Sequence, residues 1–120
     1  MEKRDLFGLC PYLTSQKVLN GKWSMYILYL LMDGPIRFNE LRRKMPEEMT
    51  HTTLSRQLKF LENEGLILRT EYAQIPPKVE YSLSDIGRKF GSVLNELEKW
   101  GNEYILYLNN HETSNKSNPT

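Results

Sequence analysis

The run THTTLSRQLKFLENEG, Thr50 to Gly65, constrains the fold more than any other stretch. Its leucines stand at 54, 58 and 61, the spacing of one helix face. Thr50 is placed to cap the start with its hydroxyl and Gly65 to close the end, so the expected helix spans His51 to Glu64. With Leu54 as the inward direction and about 100° per residue, Leu58 and Leu61 fall within about 40° of it. Thr52, Arg56, Lys59 and Asn63 fall on the far side, and Thr53 and Ser55 on the two flanks. A stripe this narrow docks the helix along one edge and leaves the opposite side for something else.

The flanking segments say what surrounds this helix. Before it, RFNELRRKM reads as a short amphipathic helix. Phe38, Leu41 and Met45 share a face, Arg42, Arg43 and Lys44 point elsewhere, and Pro46 stops it. After it come two strand-like runs, Leu66 to about Ala73 and Val79 to Leu83, the second alternating with a period of two. Pro76 and Pro77 lie at the turn between them. Each proline fixes its own φ and pushes the preceding residue to extended geometry. The tip is stiffened where no ladder hydrogen bond is lost, and Lys78 is presented beside it. Upstream, Thr14 or Ser15 is positioned to cap a helix over QKVLN, closed by Gly21. KWSMYILYLLMD is a stronger helix, with Trp23, Ile27, Leu30 and Leu31 on one stripe and Gly34-Pro35 as its stop. Downstream, Ser84-Asp85 opens a long helix reaching to about Asn109.

The order is helix, helix, short helix, helix, hairpin, long helix. That is a mainly α chain with a small β hairpin (α+β), the plan of a winged helix-turn-helix. The chain has 120 residues, 26% of them charged, and a net charge of +1. This suits one globular domain, expected over residues 1–109, with a disordered polar tail over 110–120. A net charge near zero leaves nucleic acid open, because a basic face can be cancelled by an acidic one elsewhere. The single cysteine, Cys10, excludes an intrachain disulfide. The start MEKRDLFGLC lacks a signal-like apolar stretch, and the apolar run Met25 to Met32 is too short for a membrane span. A cytoplasmic protein is expected. Catalysis is not: the two histidines, His51 and His111, lie far apart, there are three aspartates, and no phosphate loop or metal-ligand spacing occurs. No cofactor or metal is expected.

With these residues in view, the chain resembles the HxlR-type winged helix-turn-helix regulators of bacteria and archaea. The resemblance runs from Cys10-Pro11 through GKW (Gly21 to Trp23), RFNEL (Arg37 to Leu41), LSRQLKFLENEGLI (Leu54 to Ile67) and PPKVEYSL (Pro76 to Leu83). It closes on Gly87 and Trp100-Gly101. It implies a small homodimeric DNA-binding transcription regulator, a repressor or an activator, with repression the default reading. One departure stands out. Family members often carry Ser followed by Gln or a basic residue at the start of the recognition helix, where this chain has Thr50-His51-Thr52-Thr53. The cap chemistry is kept and the base-reading set is changed, so the family's operators are not assumed for this chain.

The far face of the His51 helix carries hydroxyls, a guanidinium, an ammonium and an amide, and no carboxylate in its first two turns. Such groups can pair with base edges in a major groove, and the first half of the helix is the part that meets them. Thr52, Thr53, Ser55 and Arg56 are therefore the candidate base contacts, and Arg37, Arg43, Lys59, Arg69 and Lys78 the candidate phosphate contacts. His51 reads as a plain polar residue at the helix start. In the last helix, Phe90, Val93, Leu97, Trp100, Tyr104 and Tyr107 alternate at spacings of 3 and 4, the seam of helix-on-helix packing. They are the candidate interface of a two-fold dimer, joined by the N-terminal arm and first helix, with Gly87, Gly91 and Gly101 allowing close helix approach. Two recognition helices about 34 Å apart would read an inverted repeat. The resemblance also implies sensing of oxidants or electrophiles through Cys10, with Lys3, Arg4 and Lys17 as charges favouring its thiolate; a small-molecule effector fits as well. Against this stands a buried, inert cysteine, and against the whole reading stands a winged helix that binds protein without specific DNA.

Overall fold

Proline opens the first helix. Pro11 occupies the first position of α1, Pro11–Leu19, where its missing N–H has no partner to lose. Thr14 and Ser15 therefore do not cap it. Thr14 lies inside the helix and its hydroxyl accepts from the Gly8 N–H at 2.8 Å. The computed structural model describes residues 6–117, with side chains described through residue 111. Within Met1–Lys89, the first of two compact units, α2 spans Ser24–Leu30 and tightens into a 3-10 turn over Leu31–Asp33. Gly34, at φ 136°, ends it, as the Gly-Pro stop predicted. Ile27 and Leu31 are buried as expected, and Leu28 is fully buried beside them while Trp23 and Leu30 are only half-buried.

The chain then forms a strand that periodicity did not reveal, β1 over Ile36–Arg37. A two-residue strand is too short to carry a pattern. Helix α3 follows at once, Phe38–Arg43, with Leu41 buried. Met45 and Met49 are buried on the link around Pro46, and they fill the space that separates α3 from α4, His51–Asn63. Thr50 caps α4, its hydroxyl accepting from the Thr53 N–H at 3.0 Å. At the other end Leu66 N–H donates to Leu61 C=O at 3.0 Å and Gly65 N–H to Glu62 C=O at 2.9 Å. This is the paired closure that needs a left-handed residue, and Gly65 supplies it at φ 81°. Leu54, Leu58 and Leu61 are buried in the core.

Two longer strands complete the sheet, β2 over Ile67–Tyr72 and β3 over Lys78–Leu83. The order is β1-β3-β2, all antiparallel. The expected two-stranded hairpin is thus a three-stranded sheet whose centre is β3. Tyr81 and Leu83 are buried on its inner face, the alternation read from the sequence. The fold is a winged helix. Ser84 closes it, donating to the Gly65 carbonyl at 2.6 Å and accepting from Gly87 N–H at 3.1 Å. Gly87 lies so close to the Leu66 carbonyl that a Cβ there would collide with backbone. Its close approach is to the start of β2, whereas Gly101 faces open space in the single chain.

The expected single long helix is broken. A short α5, Asp85–Lys89, ends before Phe90. Helix α6, Gly91–Ser117, lies in the second unit, Phe90–Thr120. Gly91 stands at the break, where low helix propensity costs least. The backbone is helical past Asn109, through Ser117, so the polar segment expected from residue 110 begins inside this helix; residues 118–120 lie outside the described residues.

Candidate nucleic-acid interface

Helix α4 presents its polar side as the leucine stripe requires. Thr52, Arg56, Lys59 and Asn63 are exposed, and Thr53 and Ser55 are half-buried on the flanks. Thr53 is partly committed to the cap, its hydroxyl accepting from Thr50 at 2.9 Å, which leaves its own proton free to donate. The Ser55 hydroxyl lies 3.5 Å from His51 Nδ1. The His51 ring in turn packs on Phe38 of α3, centroids 4.5 Å apart. So His51 links the two helices of the motif, a role with no signal in the sequence because nothing there brings residues 38 and 51 together. On the core side Gln57 accepts from the fully buried Ser24 hydroxyl of α2 at 3.4 Å.

The candidate phosphate contacts fall into two sets. Arg37, Arg43 and Lys78 line one groove of about 690 Å³ between the start of α3 and the wing tip, floored by Phe38, Pro77 and Val79. The Ile75–Pro76 peptide bond at the tip is cis. Lys59 lies further along α4, 4.0 Å from Glu62. Arg69 pairs across the ladder with Tyr81, whereas Thr70 and Tyr72 pair with Glu80 and Lys78. Since successive residues alternate faces, Arg69 and Lys78 lie on opposite faces of the sheet and do not converge. Tyr81 and Glu71 bond the Arg69 guanidinium and raise its pKa above its already high value.

Lys78 is not a free arm. Its ammonium is 3.2 Å from Glu80 Oε2 and 4.6 Å from the Tyr72 ring centroid. The Tyr72 hydroxyl donates to the other oxygen of Glu80 at 3.1 Å. Lys78 foremost, then Tyr72 and the nearby Arg37, hold the Glu80 carboxyl below the usual carboxylate value, against the opposing effect of desolvation. This Lys78–Glu80–Tyr72 cluster joins residues two apart on one strand to a cross-strand neighbour, and only the register brings them together.

Cys10 is half-buried and stands immediately before α1. Of the charges expected around it, Lys3 and Arg4 lie outside the described residues. Lys17 is engaged elsewhere, 3.4 Å from Glu64 and 4.5 Å above the Phe7 ring. On α6, Val93, Trp100, Tyr104 and Tyr107 are exposed and Leu97 is half-buried, as is Phe90 just before the helix. The rings of Trp100, Tyr104, Tyr107 and His111 stack in sequence at 5.0, 5.6 and 4.6 Å. Among the described residues no group of His, Cys, Asp or Glu is arranged to hold a metal ion, and no helix is long and apolar enough to cross a membrane.

A capped helix with a polar outer face, a second helix braced against it and a basic sheet edge beside both define a helix-turn-helix transcription regulator of the winged class. A family model described as HxlR-like helix-turn-helix matches residues 18–108, and the chain belongs to this family. It is 41% identical over 113 residues to the HTH-type transcriptional regulator YdeP of Bacillus subtilis, covering 94% of this chain and 88% of that one. Among solved structures, the redox regulator HypR in its reduced form superposes with a TM-score of 0.78 at 38% identity, over 84% of this chain and 99% of that one. The HTH-type regulator YtcD of Bacillus subtilis superposes with a TM-score of 0.73 at 41% identity, over 81% and 98%.

Proposed function

We propose that this regulator binds an inverted-repeat operator as a homodimer, reads bases through Thr52, Thr53, Ser55 and Arg56, and represses by occupying the site. The observation that carries this is the two-sided character of α4. Its leucines are fully committed to the core, and its opposite side is polar, exposed and free of carboxylates through the first two turns. Arg37, Arg43 and Lys78 around one groove fit the phosphate backbone beside such a helix, a role that sets register and affinity. The protein acts by binding, without catalysis, in the cytoplasm. Selection from random duplexes tests it. A palindrome with half-sites about one helical turn apart is expected; no enrichment would leave a winged helix that binds protein, a reading favoured by the carboxylates on Lys59, Arg69 and Lys78.

Cys10 is the proposed input. Its position directly before α1 and the similarity to HypR, whose structures are of reduced and oxidised forms, support sensing of oxidants or electrophiles. As the only thiol, Cys10 can join a partner chain's cysteine, a small thiol or an electrophile. Operator affinity of wild type and Cys10→Ser, before and after diamide or a quinone, is the measurement. A response in wild type alone is expected, and equal responses would end the idea.

A further inference from the structure

One carboxylate holds the wing lysine for which a DNA phosphate would compete. Glu80 uses both oxygens, one on the Lys78 ammonium and one on the Tyr72 hydroxyl. It is also the cross-strand partner of Arg37, so both side chains project from the same face of the sheet. Arg37 and Lys78 are two of the three basic residues around the groove between α3 and the wing tip, which Glu40 also lines; Glu80 reaches it through its pairing with Lys78. Any phosphate that settles there must take Lys78 from Glu80 and approach a fixed negative charge.

Phosphate contacts supply nearly all of non-specific affinity, and base contacts supply discrimination. A carboxylate that neutralises the wing weakens binding to every sequence by the same factor. Operator and random DNA lose this contact alike, so Glu80 sets the overall hold of the wing on DNA and leaves discrimination to α4. Lys78, and then Tyr72 and Arg37, hold the Glu80 carboxyl below its ordinary value, so it carries its charge at neutral pH.

We infer that Glu80 is a restraint built into the DNA interface, holding down phosphate affinity on every duplex by occupying Lys78 and facing Arg37. The inference rests on the DNA-binding function proposed above. It is tested with the full chain by fluorescence anisotropy on the selected operator and on a random duplex, across a salt series. In Glu80→Gln, affinity for the random duplex should rise about three- to tenfold at low salt and the salt slope steepen by about one unit. Affinity for the operator should rise by the same factor, so the ratio of operator to random affinity should stay constant. Glu80→Thr, which keeps a strand-favouring residue, should behave alike. Glu96→Gln on α6 makes the same change in net charge and should alter neither duplex. Adding Lys78→Gln to Glu80→Gln should abolish the gain, which a merely structural role for Glu80 does not predict. Unchanged or weaker random-duplex binding in both Glu80 variants, with the wild type still selecting its operator, would overturn this inference alone. A wild type that binds no duplex would overturn the DNA-binding function with it.

Discussion

Two positions on α4 carry separable loads. Thr50 satisfies the Thr53 N–H and bonds the Thr53 hydroxyl, so it sets both the start of the helix and the direction of a candidate base contact. Thr50→Ala should cost about 1 kcal/mol of stability, measured by urea denaturation, and should also weaken operator binding because the first turn frays. Arg56 is exposed on the far side from Leu54 and Leu58, at the rim of a surface pocket with Asn20, Gly21 and Phe60, so its loss opens no cavity in the core. Arg56→Ala should keep the stability of the wild type and lose discrimination at one base pair, by about 1–3 kcal/mol. Binding to an operator panel substituted one base at a time reads this directly. A uniform loss across the panel would move Arg56 from bases to phosphates.

At the scale of elements, the recognition helix was legible and the wing only half so. Thr50, Gly65 and the three leucines define α4 with local chemistry alone, and the structure returns it within one residue. The inward alternation of Tyr81 and Leu83 was equally local. What could not be read was pairing. β1 consists of Ile36–Arg37 and exists only because β3 offers an edge to it. Arg69 and Lys78 looked equivalent as basic wing residues, yet the register sends them to opposite faces. The same register builds the Glu80 cluster, and that gives the wing a pH dependence of definite sign. The folded pKa of Glu80 lies below its ordinary 4.5. Its contribution is therefore complete above that ordinary value and is lost as pH falls through the folded one. Acid titration followed by the Tyr72 ring resonances should show a transition below about pH 4.5, absent in Glu80→Gln. In binding, Lys78→Ala should weaken all duplexes alike and flatten the salt slope by about one unit.

At the scale of the whole molecule, α6 presents a broad exposed apolar face. Trp100 is 61% exposed and Ile105 54% in the single chain, and the stacked rings from Trp100 to His111 form an apolar edge far beyond scattered surface residues. Around α1, Tyr12 is 85% exposed and Leu9 67%. The proposed two-fold dimer would use each face on both copies, as an isologous interface does. Because Trp100 is so exposed, replacing it disturbs little inside one chain. Trp100→Glu should keep the circular dichroism spectrum and leave the DNA-reading unit folded. It should turn a dimer into a monomer by sedimentation at micromolar concentration, because burying an unpaired carboxylate is costly. The DNA consequence follows from geometry. A dimer gains its second half-site at an effective concentration in the millimolar range, so the monomer should bind an inverted repeat no better than a single half-site, and doubling the half-sites should gain it nothing beyond the statistical factor. A Trp100→Glu protein that still sediments as the wild type does, and still prefers the repeat, would place the seam elsewhere.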